Sequence, residues 1–171
     1  LVPDERTTIV VNCAGRTRSI IGAQSLVNAA IPNPVYALRN GTIRWTLAGF
    51  ELPHGATLSA GDPTPAHHEQ ARQTAQTLAQ ATGVEILPAR ALASLAADPA
   101  RTLYLLDVRS PAEYEAGHLA GFRSAPGGQL VQATDEWVAV RHATLVLTDT
   151  DGVRARMTAH WLRQLGWQHV H

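Results

Sequence analysis

Residues 10–26, VVNCAGRTRSIIGAQSL, carry the single cysteine of a 171-residue chain at the end of a β-branched run, followed by small residues, two arginines and a helical pattern. The run from Thr8 to Asn12 is too short for an amphipathic stripe and fits a buried strand. Ile20, Ala23, Val27 and Ala30 then recur at helical spacing until Pro32 and Pro34 end the pattern, with Ser19 as the expected N-cap. The stretch therefore reads as strand, loop and helix, and the six residues Cys13 to Arg18 form the junction.

That junction has the ingredients of an activated thiol. The thiolate is the nucleophile, and a free cysteine pKa of about 8.5 falls at a helix N-terminus or beside cations. Small Ala14 and Gly15 let backbone N–H groups turn inward as an anion nest, and Arg16 and Arg18 add positive charge. A lone cysteine at a strand end is most often an inert core side chain. Such a residue has no need of a glycine, two arginines and a serine in the next six positions, so a catalytic or anion-binding role is the stronger expectation.

Working outward, Val35 to Leu38 reads as a second strand, Asn40-Gly41 as a turn, and TIRWTLAG (42–49) as a short helix closed by Gly49, with Pro53 ending the unit. Residues 54–65, rich in Gly, Pro, Ser and Thr, read as a linker. A helix is expected over 66–81 with Gly83 as its stop, a short strand at VEIL (84–87), and an amphipathic helix over 89–98. TLYLLDV (102–108) is the clearest strand. Ser110, Pro111 and Glu113 open a helix over 110–118, TLVLT (144–148) is another strand, and 154–166 a helix ended by Gly166. This alternation predicts an α/β fold with a mostly parallel sheet.

A shift of 136 residues superposes two of these units: Val10 falls on Val146, Cys13 on Asp149, Arg18 on Arg154, Ala23 on Ala159 and Leu26 on Leu162. Two copies of one strand–loop–helix module are expected, the second with an acid in place of the thiol.

The sequence resembles the rhodanese family at these places. CAGRTRS is similar to its active loop, VYALRNGTIRWTLAGFELP to its closing strand, turn and helix, and LYLLDVRSPAEYEAGHLAGFRSAP to its opening half. The resemblance implies a rhodanese-like fold, a mostly parallel five-stranded sheet flanked by helices. It also implies three parts: 1–53 as the C-terminal half of a Cys-bearing module, 54–83 as a linker with a helix, and 84–171 as a second, Cys-less module without its closing strand and helix.

The implied activity is sulfur transfer, in which Cys13 takes a sulfane sulfur from a thiosulfate-like donor and passes it to a thiol or cyanide. Ala14, Gly15, Arg16, Thr17 and Arg18 would form the substrate and anion-binding loop, with Arg18 alternatively tying the loop to a carboxylate. Asp149 marks a degenerate second site. In this family a six-residue loop goes with sulfur, and a loop one residue longer with phosphate. The rival class is a non-enzymatic, rhodanese-like scaffold or regulatory binding module.

Composition narrows the remaining classes. Fourteen basic and 14 acidic side chains give no net charge, which disfavours nucleic acid and membrane surfaces as partners. No apolar stretch is long enough to span a bilayer, and a single cysteine suits a reducing compartment such as the cytoplasm. His67, His68 and Glu69 are consecutive and point to different sides of a helix, so neither a metal nor a cofactor is expected. Asp107 and Arg109 are expected to form a structural pair, and His118 to be a buried, hydrogen-bonded helix residue. Incomplete sheets with unpaired edges offer a route to a homodimer.

Overall fold

The β-branched run after Thr8 forms β1 (Ile9–Val11), and the chain crosses over through α1 (Thr17–Asn28) to β2 (Val35–Ala37), which lies parallel to β1 with Ile9 opposite Val35 and Val11 opposite Ala37. A computed structural model describes residues 2, 4–55 and 61–171, so part of the linker expected over 54–65 lies outside the described residues. The chain divides into two units, Leu1–His68 and Glu69–His171.

In the first unit, α1 packs on one face of the two-stranded sheet, where a Cβ on Gly22 would sit 3.0 Å from the Val11 side chain. The opposite face is open: Val10 and Tyr36 are 55% and 61% exposed. Two strands and one helix cannot cover both faces of a sheet, and an isolated strand pair is marginal in water. Asn40 and Gly41 both adopt left-handed φ, at 59° and 58°, and start α2 (Gly41–Leu47). Trp45 then packs against Phe50 with the rings tilted and their centroids 4.7 Å apart, and donates its indole N–H to the Glu51 carbonyl, fastening the unit's end.

The second unit is better filled. After α3 (Pro65–Ala81) and α4 (Ala89–Ala96), β3 (Leu103–Asp107) pairs in parallel with both β4 (Arg123–Ser124) and β5 (Thr144–Thr148). Helices α5 (Pro111–Ala116), α6 (Gly127–Gln132) and α7 (Val153–Gln164) flank that sheet. Leu106, Leu130, Leu145 and Leu162 are fully buried and make its core. Residues of α3 belong to this core: Ala75 and Ala79 are buried, and the buried His160 of α7 lies 3.0 Å from the Leu78 carbonyl and 3.3 Å from the Thr82 hydroxyl. Arg163 donates to the Thr82 carbonyl at 3.0 Å.

The class is therefore α/β with parallel strands flanked by helices, but the five strands fall in two sheets, β1-β2 and β4-β3-β5, rather than one. The strand expected at 84–87 is not formed. A cavity of about 160 Å³ is lined by Val84, Ile86 and Leu87 together with Val146 and Leu147, so this segment stays off the β5 ladder. Residues 169–171 pair with β5 instead, through a parallel bridge between Leu145 and Val170. The same 136-residue shift carries α1 onto α7 from first residue to last. Both helices end on a left-handed residue, Ala30 at φ 55° and Gly166 at 95°, and the next N–H reaches back to Leu26 and Leu162 respectively.

Candidate functional site

Cys13 sits between β1 and α1, half-buried, at the carboxyl end of its strand where crossover folds gather their ligands. Helix α1 starts at Thr17, two residues before the expected cap, so Thr17 and Arg18 are in its first turn while Ala14, Gly15 and Arg16 form the loop. Ser19 is not the N-cap. It is buried in the first turn, where its hydroxyl donates to the Arg16 carbonyl at 2.9 Å and accepts from the Cys13 thiol at 3.5 Å. The head of the helix is thus occupied by sulfur.

The electrostatics follow from that position. The Ser19 hydroxyl, foremost, then the backbone N–H groups of Ser19 and Gly15 and the charge of Arg18, hold the Cys13 thiol below its ordinary value against the opposing effect of partial burial. On ionisation the Ser19 hydroxyl is placed to turn from the Arg16 carbonyl toward the thiolate. Arg16 is exposed at the loop rim and Arg18 is half-buried. All 14 cationic side chains in the chain are arginine, with no lysine.

The loop is held from behind. The Cys13 carbonyl accepts the Thr42 N–H at 3.0 Å, and the Ala14 carbonyl accepts the Ile43 N–H at 3.0 Å and the Thr42 hydroxyl at 3.3 Å. Sequence reasoning read Asn40-Gly41 as a turn only and missed this contact with the cysteine loop.

The second unit repeats the loop with different chemistry. Asp149, half-buried after β5, accepts the Gly152 N–H at 2.6 Å and the Ala155 N–H at 3.0 Å with its two carboxylate oxygens. Ala155 holds the helical position that Ser19 holds in α1. Arg154, matching Arg18, makes a two-pronged ion pair with Glu113 at 2.7 Å for each prong. Glu113 also completes a capping box with Ser110 at the start of α5. Arg154 foremost, then Ser110, hold the Glu113 carboxyl well below the usual range.

Asp107 is fully buried and takes both the backbone and the side-chain N–H groups of Arg109, with 2.7 Å at the closest ion-pair contact. Arg109 donates onward to the Gly117 carbonyl, so the pair braces the segment between β3 and α5 as expected. His118 is a correction: it lies exposed beyond the end of α5, where it stacks on Tyr114 at 3.8 Å and contacts the Tyr114 carbonyl at 3.0 Å. Gly117 has already ended the helix, which leaves His118 outside the core. Among the described residues, no three His, Cys, Asp or Glu side chains are placed to hold a metal ion, and no helix is long and apolar enough to cross a membrane.

The model of the rhodanese-like domain matches residues 88–171. A crystal structure of a thiosulfate sulfurtransferase from Pseudomonas aeruginosa is similar at 60% identity and a TM-score of 0.91, over 98% of this chain and 32% of that one. The chain belongs to the rhodanese family. It spans about a third of the length of the solved structure it matches. No curated protein matches it. Within this rhodanese chain the Cys13 loop lies in the first unit, outside the residues that the domain model covers, whereas the Asp149 loop lies inside them.

Proposed function

We propose that the protein is a sulfurtransferase in which Cys13 carries the sulfur. The observation that supports this best is the Cys13 thiol at the head of α1, facing the Ser19 hydroxyl and backbone N–H groups that favour its anion. The Cys13 thiolate attacks the outer sulfur of a thiosulfate-like donor, the S–S bond of the donor breaks, and sulfite leaves with the bonding pair. The persulfide anion then meets the same N–H groups. A thiolate or cyanide attacks the outer sulfur, and the Cys13 thiolate is regenerated as leaving group. Loop N–H groups and the end of α1 stabilise each anion in turn, while Arg16 draws the donor. Neither step changes the number of protons bound, so nothing in the site has to act as a general acid.

In this proposal, residues 1–53 are the closing half of the Cys-bearing module, 54–83 a linker with a helix, and 84–171 a second, non-catalytic module without its closing strand and helix. The open face of the β1-β2 sheet supports the first assignment, because Val10 and Tyr36 need a cover that two strands and α1 do not supply. Pairing through these incomplete sheets would make the chain by itself a homodimer. A reducing compartment, the cytoplasm, suits the unpaired reactive thiol.

The second unit favours a different role. Asp149 fills with its own carboxylate the place where an anion would sit, which suits a scaffold or regulatory module. The test is intact-mass measurement after thiosulfate treatment. Gain of one sulfur atom on Cys13, reversed by cyanide with release of thiocyanate and abolished in Cys13→Ser, is expected. An unmodified Cys13 under the same conditions would leave the scaffold role for the whole chain.

A further inference from the structure

We propose that Gly41 is a positioning residue for the cysteine loop: its bare α-carbon lets the 41–43 backbone close on the Cys13 and Ala14 carbonyls and so aims the loop's N–H groups at the sulfur. The inference rests on Cys13 as the reactive thiol, and it extends that reading to a residue 28 positions away in sequence.

The geometry leaves no room for a side chain. A Cβ on Gly41 would overlap the Cys13 carbonyl oxygen and would lie 2.6 Å from the Gly15 carbonyl oxygen and 2.8 Å from the Ala14 carbonyl carbon. Backbone does not yield to such contacts as a flexible side chain does. Gly41 also has φ of 58° and is buried, so conformation and space both select glycine.

The consequence for the thiol follows from the planar peptide. The C=O and N–H of one trans unit point in opposite directions. With the Ala14 carbonyl fixed outward on the Ile43 N–H, the Gly15 N–H of the same peptide is turned toward Cys13, and that N–H is among the groups that favour the thiolate. Anchoring the Cys13 carbonyl on the Thr42 N–H turns the Ala14 N–H in the same sense. The second unit has another arrangement, since Asp149 itself gathers the N–H groups of its loop.

Gly49 provides the control. It has φ of 84°, so alanine there meets comparable backbone strain, yet nothing lies within 4 Å of its Cβ position. The experiment is the pH dependence of Cys13 alkylation by iodoacetamide in the full chain, with thermal unfolding recorded alongside. Gly41→Ala is expected to shift the profile to higher pH and to slow alkylation at neutral pH by about tenfold, equivalent to one pH unit, while Gly49→Ala keeps the wild-type profile.

A folded Gly41→Ala with the wild-type profile would overturn the proposal, and so would an equal shift in Gly49→Ala. If Gly41→Ala does not fold, Ile43→Pro decides. It deletes the N–H that holds the Ala14 carbonyl, at a first-turn position whose N–H has no partner within α2. A shift in the same direction is expected, and a wild-type profile would overturn the proposal. The readout does not involve sulfur transfer. Absence of a persulfide in wild type would sink the proposed function while leaving this measurement able to stand or fall separately.

Discussion

The Asp149 carboxylate accepts the Ala155 N–H at 3.0 Å, the same helical N–H that the Cys13 sulfur faces at Ser19 in the other unit. One backbone device therefore faces a thiol in one loop and a carboxylate in the other. Replacing Asp149 by alanine leaves the N–H groups of Gly152 and Ala155 without their acceptor. The second unit is expected to lose about 1–2 kcal/mol, as for a deleted helix cap, read as a lower urea midpoint at unchanged slope. An unchanged midpoint would mean that water replaces the carboxylate at no cost.

Ser19 reads as a helix cap in the sequence, and in the structure its hydroxyl faces the Cys13 thiol instead. Ser19→Ala removes the foremost influence that holds the Cys13 thiol low. Alkylation at neutral pH is expected to slow by about tenfold, the scale of one hydrogen bond to a charged group. Ser19→Thr, which keeps the hydroxyl, should restore much of the rate. If alanine and wild type react alike across pH, the serine contributes nothing to ionisation.

The Glu113–Arg154 pair is about two-fifths exposed on each side, so solvent screens it. Glu113→Gln keeps a side chain able to complete the capping box with Ser110 and removes only the charge. A loss of at most about 1 kcal/mol is expected, shrinking further in high salt. A salt-independent loss of several kcal/mol would show that the pair organises more than its own surface.

Acid should unfold the second unit by way of Asp107. Burial pushes that carboxyl up, but the hydrogen bonds and charge of Arg109 outweigh burial and hold it below the ordinary range. A carboxylate with a depressed folded pKa contributes stability that is complete above the unfolded value of about 3.9 and is lost as pH falls through the folded one. Thermal unfolding followed from pH 7 downward should therefore fall steeply below about pH 4. In Asp107→Asn the midpoint should start lower at neutral pH and fall less on acidification. A parallel fall in both proteins would remove Asp107 from the account.

Sequence patterns carried much of this fold, and each miss has a physical cause. The runs that became β1, β3 and β5 are short and apolar, and helices α1 and α7 carry clear helical spacing. The two residues of β4 are too few to show a period, and α6 opens on Gly127-Gly128, poor helix formers held by tertiary packing. VEIL had the composition of a strand, but composition does not supply a ladder partner. At the site, cysteine, glycine and arginine drew attention through their chemistry. Gly41 did not, because its role lies in an approach between segments that are distant along the chain.

The absence of lysine has a consequence for how the Cys13 loop responds to its surroundings. A guanidinium keeps its proton at any pH a cell reaches and is not a target for lysine acetylation. Arg16 and Arg18 therefore lend the loop guanidinium charge rather than ammonium charge. A rate profile for sulfur uptake should then rise once with pH and level off, with no descending limb from loss of a cation.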